Sequence, residues 1–181
     1  VAGDIQIDAP KKMIANYFGT IQKGKVIDRE KRKEKPILET LEATAYDTNI
    51  EIPMIVTAYR TPSIKNRDSK VLNLISSYLS DGKSSKLYRK MVDEKKNALE
   101  IGAFNIGQED YSIYIIYGLP LGDISLEKLT KDFDEEIIKI QEELISEKDY
   151  QKLQNMIETN FVNSNSSIEG IANSLAEYYA F

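Results

Sequence analysis

The sequence predicts an α+β domain in which helices are layered on an antiparallel sheet. Strand-like segments occur in adjacent pairs, and amphipathic helical segments precede, separate and follow those pairs. The predicted order is helix, two strands, two helices, two strands and three helices. Neighbouring strands with short connections pair antiparallel, because a parallel pair needs a crossover of about a dozen residues or more. We expect one domain over residues 1–181.

The first helix is predicted to begin at Pro10, a residue favoured at the first helical position, and to end at Gly19. Its apolar face consists of Met13, Ile14, Tyr17 and Phe18. The stretch VAGDIQ before it has neither an initiator methionine nor a basic signal-peptide region. We interpret it as the end of a strand and the chain as a piece of a longer protein. Residues 23–36, KGKVIDREKRKEKP, carry charges of both signs and are predicted to be a solvated connector.

Two strands are predicted next, over Ile37–Tyr46 and Ile50–Arg60. The second is rich in β-branched and aromatic residues, and Pro53 places it near an edge or a bulge. Asp47-Thr48-Asn49 supplies turn chemistry between them. A helix of period 3.6 follows, with Val71, Leu72, Ile75 and Leu79 on one face.

The segment Gly82-Lys83-Ser84 has the ending of a nucleotide-binding phosphate loop, but the rest of the motif is absent. The first glycine of such a loop would stand at Ser77, and the loop would follow a strand rather than a helix. We interpret the segment as a corner between two helices, in which Gly82 takes a left-handed turn and Ser84 or Ser85 caps the second helix. Leu87, Met91 and Val92 are predicted to face the core, and Lys86, Arg89 and Lys90 the solvent.

The second half of the chain predicts a hairpin and three helices. The strands are ALEIGAFNI and YSIYIIYGLPL, joined at Gln108-Glu109-Asp110. Capping boxes, in which a serine precedes an acidic residue by three positions, are predicted at Ser146 and Ser166. The apolar faces of the three helices are Leu126, Leu129, Phe133, Ile137, Ile140 and Leu144; Tyr150, Leu153, Ile157 and Phe161; and Ile168, Ile171, Leu175 and Tyr179.

Composition excludes several classes of function. The net charge of -5 disfavours binding to a nucleic-acid backbone, and no apolar run approaches the roughly 18 residues of a membrane span. The chain has no cysteine and no histidine, so Ser-His-Asp and Cys-His catalysis are excluded for this chain acting alone. Only carboxylates remain as metal ligands, and these suit calcium or magnesium better than zinc.

Four segments match known patterns in order along nearly the whole chain. The pattern L-x-x-G-x-S-S-R-L-x-x-x-[IL]-R-E-x-x-x-L-A-Y is similar to the segment LSDGKSSKLYRKMVDEKKNA. A V-x-G-D-x-D strand, followed by a helix and a Y-F-G-x-[IL] closure, is similar to the segment VAGDIQIDAPKKMIANYFGTI. The strand and helix that precede the S-S-R-L segment are similar to VTAYRTPSIKNRDSKVLNLISSYLSDG. The helical end of the same domain is similar to LISEKDYQKLQNMIETNFVNSNSSIEGIANSLAEYY. The chain thereby resembles the insulinase-like (pitrilysin, inverzincin) zinc metallopeptidases.

This resemblance implies α+β domains repeated and paired into two halves that close around a peptide. One domain holds zinc through two histidines and a distal glutamate, on an H-x-x-E-H helix whose glutamate activates water. The chain resembles the domain that follows the zinc-bearing one. The resemblance therefore implies no catalytic, metal or cofactor residue here, and zinc in another domain. The implied partners are that domain, the second half of the peptidase and a peptide substrate.

Two positions depart from the family pattern. In the other half of such peptidases, the equivalent domain often supplies an arginine and, seven residues later, a tyrosine that reach the substrate. Asp93 and Glu100 stand at these positions. Because an anion does not stabilise an oxyanion, the chain suits the half that contributes zinc. A new acid/base carboxylate pair is an alternative that needs convergent geometry; surface carboxylates are the simpler interpretation.

Two other functions compete with a peptidase domain. A domain of a catalytically inactive relative would serve assembly or partner binding, as in the core subunits of the respiratory cytochrome complex. An independent ligand-binding α+β domain is disfavoured by the truncated start. The sequence upstream distinguishes a peptidase domain from a domain of an inactive relative, because only a peptidase needs H-x-x-E-H.

We predict that the chain does not hold zinc stoichiometrically, because it lacks the imidazole and thiolate ligands of a tetrahedral site. Tag-free protein dialysed against zinc should carry well under one equivalent by elemental analysis. A tight, stoichiometric zinc content would contradict this prediction.

Overall fold

The structure is a computed structural model that describes residues 1–27 and 33–180. The chain divides into two compact units. One unit comprises residues 41–157, and the other comprises residues 1–40 with residues 158–181.

The unit of residues 41–157 is built on a three-stranded antiparallel sheet. Its strands are β1 (Ile55–Pro62), β2 (Ala98–Ile106) and β3 (Tyr111–Pro120), and their order in the sheet is β1-β3-β2. The predicted hairpin is thus present as β2 and β3. The α+β class and the antiparallel pairing are confirmed.

Strand β3 lies in the centre and sets the two faces of the sheet. Its residues are rich in isoleucine and tyrosine, which fit a pleated and half-buried surface. Gly118 lies opposite Ile55 on one side and Ile101 on the other. Because side chains alternate between faces along a strand, the buried residues of β3 share one face. They are Ser112, Tyr114, Ile116, Gly118 and Pro120.

Helices supply the core against that face. The contributing elements are α2 (Arg67–Ser80), a π-helical segment (Tyr88–Glu94) and α3 (Leu126–Glu142). Side-chain caps start both α-helices: Asn66 accepts from the backbone N–H of Asp68, and Ser125 from that of Lys128. The core cluster is Leu79, Leu87, Met91, Ala98, Ile101, Ala103, Tyr114, Ile116, Leu129 and Phe133.

The corner after α2 differs in detail from the prediction. Gly82 is left-handed as expected, with φ +74°, and Leu87 and Met91 are fully buried. Neither predicted serine caps the following helix through its side chain. The Ser84 hydroxyl accepts a hydrogen bond from Lys152 instead, and the Ser85 hydroxyl is buried without a partner among the described residues.

The π-helical segment carries wider backbone hydrogen bonds than an α-helix. The backbone N–H of Lys95 donates to the carbonyl of Lys90, five residues earlier, at 2.9 Å. The N–H of Asn97 then donates to the carbonyl of Met91 at 3.0 Å, and Lys96 between them is left-handed at φ 52°. This conformation is uncommon for a residue other than glycine, and it turns the chain sharply into β2.

The first predicted strand pair is wrong in part. Residues 37–46 form no strand, and the second strand begins at Ile55 rather than Ile50, which leaves Pro53 outside it. An apolar sequence forms a strand only when a neighbour takes up its backbone hydrogen bonds, and residues 37–46 have no such neighbour in the described chain. The intervening turn is correct: Asn49 donates its backbone N–H to the Asp47 carboxylate at 2.8 Å.

The remaining helices are α1 (Asp8–Phe18), α4 (Glu147–Ser164) and α5 (Ile168–Ala180). Ser146 caps α4 through the backbone N–H of Asp149, as predicted. The cap of α5 is Ser167 rather than Ser166, because the Ser167 hydroxyl accepts from the N–H of Gly170. The predicted apolar faces are mostly exposed: Leu153 is buried, but no residue of α1 or α5 is.

The predicted connector and the start of the chain have no regular structure where they are described. Residues 28–32 of the connector lie outside the described residues, and residues 23–27 and 33–36 are exposed without helix or strand. The strand expected at VAGDIQ is absent from residues 1–6. No helix within residues 1–27 and 33–180 has the length and apolarity needed to cross a bilayer.

Two glycines on opposite faces of the sheet give a test of core packing. A Cβ at Gly118 would lie 2.3 Å from Cζ of Phe133, and one at Gly102 would lie 2.2 Å from Cε1 of Tyr117. Phe133 is buried in the core cluster, whereas Tyr117 is partly exposed at the surface, where a side chain shifts at lower cost than in a packed core.

We therefore predict that Gly118→Ala lowers the free energy of unfolding by about 1–3 kcal/mol, the usual cost of overpacking a core. Gly102→Ala is the matched control and should cost much less. Urea unfolding of both variants measures the difference. Equal losses would show that Phe133 does not confine this position.

Candidate functional site

Asp93 and Glu100, the two carboxylates that depart from the family pattern, lie on different elements. Asp93 is exposed on the π-helical segment, and its carboxylate makes no hydrogen bond or ion pair with the described residues. Glu100 is exposed on β2 and accepts a hydrogen bond from the Tyr117 hydroxyl at 2.8 Å. This hydrogen bond, together with partial burial, raises the pKa of Tyr117.

A buried carboxylate joins α3 to the turn before β2. Asp132, whose side chain is 4% exposed, accepts hydrogen bonds from Lys95 at 2.8 Å and from the Asn97 amide at 2.5 Å. Lys128, one turn earlier on α3, donates to the same carboxylate at 2.5 Å. Left-handed Lys96 lies between two of these donors, so the backbone turn brings both to Asp132.

The charges around Asp132 determine its protonation. Burial on its own raises the pKa of Asp132, but hydrogen bonds from Lys128 and Lys95 outweigh it and lower the pKa to about 2. Burial likewise acts to lower the pKa of Lys95, and Asp132 with the neighbouring glutamates raises it. The carboxylate is therefore ionised at neutral pH.

This ionic cluster does not have the features of a metal centre. Glu136, which is 1% exposed, accepts from Lys139 at 2.9 Å and lies 3.9 Å from Lys95. Its charge is thus already balanced by ammonium groups, as is that of Asp132. Within the described ranges, no group of three or more acidic residues is arranged to hold a metal ion. With no histidine or cysteine in the sequence, zinc does not fit this chain.

The face of the sheet opposite the helices is apolar and partly open. The register places Phe104 beside Ile115, and Ile106 beside Ile113. Phe104 and Ile106 are each 41% exposed, and Val56 on β1 is 48% exposed. We call this surface the open face of the sheet.

A polar pocket of about 260 Å³ lies beside the corner that follows α2. Its cationic side chains are Lys86, Arg89, Lys90 and Lys152, and its carboxylates are Glu94 and Asp149. Tyr78, Ser84 and Leu153 complete the lining. Burial and the charges of Asp149 and Glu143 raise the pKa of Tyr78, so its hydroxyl is protonated and able to donate at neutral pH.

The sequence pattern predicts that Lys86, Arg89 and Lys90 face the solvent, and it does not indicate this pocket. Arg89 is exposed and Lys86 and Lys90 partly so, which agrees with that expectation. The pocket also needs α4, because Lys152 reaches Ser84 across 68 residues of sequence at 2.6 Å. The only signal available in the sequence was the basic character of SSKLYRK, which does not indicate which distant element completes the site.

The chain matches a known protein family over most of its length. The family described as the peptidase M16 inactive domain matches residues 1–157. The zinc protease PqqE of Helicobacter pylori is 22% identical over 180 residues, which are 98% of this chain and 40% of that protein. The chain therefore spans about two fifths of the length of the curated relative it matches.

Solved structures show the same fold. A protease from Helicobacter pylori superposes with a TM-score of 0.79 at 21% identity, over 98% of this chain and 44% of the other. The inactive peptidase domain of a protein assigned as a zinc protease from Bordetella parapertussis superposes with a TM-score of 0.62 at 18% identity, over 70% and 69%. At these identities the likeness establishes the fold.

We predict that Asp132 makes stability sensitive to acid. Its pKa is lowered from 3.8 to about 2 on folding, so its contribution of about 2 kcal/mol is complete above about pH 4 and is lost as the pH falls toward 2. Asp132→Asn should lower the free energy of unfolding at pH 7 by about this amount and flatten its dependence between pH 4 and 2.

Urea unfolding across this pH range measures both effects. Asp134→Asn, an exposed change on the same helix, is the control and should leave the slope unchanged. If Asp132→Asn has the same slope as the unmodified protein, Asp132 is not the group that titrates.

Proposed function

This chain belongs to the family of peptidase M16 inactive domains, and we propose that it serves as a non-catalytic domain of a zinc endopeptidase that helps to enclose peptide substrates. The match over residues 1–157 carries this proposal. The description of the family as inactive agrees with a sequence that has no histidine and no cysteine. Zinc and the water-activating glutamate would then belong to another domain, and no catalytic step is assigned to this chain.

The size of the match supports a role within a larger assembly. The chain covers 40% of the zinc protease PqqE, so the relative has ample length outside the matched region for a zinc-bearing domain. The open face of the sheet supports the same role. Val56, Phe104 and Ile106 present an apolar surface that another domain or a peptide would cover.

The side chains at Asp93 and Glu100 favour the half of the peptidase that holds zinc. Both carboxylates are exposed, and Glu100 already accepts a hydrogen bond from Tyr117. Neither side chain offers a cation or, when ionised, a donor to the oxyanion of a peptide under attack. In the half that contributes zinc, these positions would have no catalytic duty.

A second candidate is a domain of a catalytically inactive relative that acts in assembly or partner binding. The same open face supports it, because an apolar surface serves a permanent partner as well as a peptide chamber. The two proposals differ in one feature: only the peptidase requires an intact H-x-x-E-H motif elsewhere in the protein.

We predict that the parent reading frame encodes H-x-x-E-H within the two hundred or so residues before Val1, about one domain length. The protein expressed from the whole frame, with the motif glutamate replaced by glutamine, should bind peptide without cleaving it. A bound peptide that carries a photo-activated cross-linker should then label residues within 1–181, because this segment would form part of the chamber wall.

Excess unlabelled peptide is the control and should abolish the labelling. A frame without the motif would overturn the peptidase proposal in favour of the inactive relative. Labelling that is confined to other parts of an active protein would contradict the enclosing role.

A further inference from the structure

The polar pocket beside the corner has an excess of positive charge. Its four cationic side chains face two carboxylates, although the chain as a whole has a net charge of -5. A local positive site on an acidic protein is a departure from the average surface. Anions are attracted to such a concave site, because its walls focus the field of the cations.

The acidic residues of the pocket form close ion pairs with only two of its four cations among the described residues. Glu94 lies 2.6 Å from Lys90 and 4.0 Å from Arg89, so it balances that side of the pocket. Lys152 instead donates to a neutral acceptor, the hydroxyl of Ser84. Lys86 forms no close ion pair within the described ranges. The hydrogen bond from Lys90 is the main cause that lowers the pKa of Glu94, and the charge of Lys86 is the weakest of the interactions that lower it.

The Asp149 carboxylate is hydrogen-bonded at the start of α4 and forms no close ion pair with Lys86 or Lys152 among the described residues. Its carboxylate accepts a hydrogen bond from the Ser146 hydroxyl at 2.7 Å, as part of the cap of α4. The carboxylate also raises the pKa of Tyr78, after the larger effect of burial, which keeps that phenol protonated as a donor. Lys86 and Lys152 therefore carry charge that a ligand would neutralise.

We propose that this pocket binds a multiply charged oxyanion between Lys86 and Lys152, with Arg89 and the hydroxyls of Ser84 and Tyr78 as further donors. The volume of about 260 Å³ is many times the roughly 10–15 Å³ that a cavity needs to hold one water, so a phosphate group or two carboxylates fit. Guanidinium groups bind both phosphate and carboxylate through paired hydrogen bonds. The ligand is held by side chains, and the segment Gly82-Lys83-Ser84 is not a phosphate loop, since it follows α2 rather than a strand.

Two sources supply this chemistry: a phosphate-bearing small molecule and an acidic segment of a peptide. The peptide source rests on the proposed peptidase role, whereas the phosphate source does not. Separate titrations with pyrophosphate and with a short glutamate-rich peptide distinguish them. The same peptide with glutamine in place of glutamate tests whether the carboxylates are recognised.

The test is calorimetric titration of the 181-residue chain with pyrophosphate at low ionic strength, where screening is weak. Lys86→Gln combined with Lys152→Gln should raise the Kd roughly tenfold or more, because two unit charges near the ligand are lost. Lys70→Gln combined with Lys131→Gln removes the same charge from exposed positions outside the pocket and should change the Kd little. Lys152→Arg keeps the charge and should retain binding.

Thermal unfolding of each variant confirms that the fold is intact. Loss of binding in the pocket variant alone establishes the site, and competition by the glutamate peptide but not the glutamine peptide identifies acidic peptide as a ligand. Absence of pyrophosphate binding to the unmodified chain, or equal weakening in both double variants, would overturn the proposal. Neither result would bear on the presence of H-x-x-E-H in the parent frame.

Discussion

The pairing of β3 with β1 and β2 organises the unit of residues 41–157. The residues of β3 from Tyr111 to Gly118 pair with β1, and those from Ile113 to Pro120 pair with β2. The alternation of its side chains therefore assigns one face of the sheet to the helices and leaves the other open. Gly118 lies at the point where α3 crosses this strand, and its lack of a side chain lets the Phe133 ring approach the backbone.

A second constraint joins the helices to the sheet through charge. Asp132 is the shared acceptor for donors from α3 and from the turn before β2, which fixes the position of one relative to the other. A buried carboxylate is tolerated only when its hydrogen bonds are made, so this contact selects one arrangement of the turn. The polar pocket is lined by the corner, by the π-helical segment and by α4, whose Lys152 donates a hydrogen bond to Ser84.

The sequence was informative where a pattern is local or strongly periodic. The hairpin of β2 and β3, the helices, the Asp47 turn and the left-handed Gly82 all follow from residues close together in the chain. The strand over residues 37–46 was wrong, because strand formation depends on a distant edge that a local pattern does not specify. The ionic cluster and the pocket were missed for the same reason: Asp132 and Lys152 meet partners far along the chain. Family resemblance, by contrast, was recognisable from short motifs in order, and it is confirmed.

The π-helical segment and the bulge in β2 are two places where related domains can differ in length by one residue. A π turn holds one residue more than an α turn, and the bulge between Ala98 and Glu100 adds an irregularity in the neighbouring strand. An insertion or deletion of one residue in an ancestor could be absorbed at either place while β2 kept its pairing with β3. Asp93 lies before the end of the π turn and Glu100 lies after the bulge, so the number of residues between them can change while the strands stay paired. Structural superposition on the paired strands, rather than residue counting, defines which side chains of related domains are equivalent here.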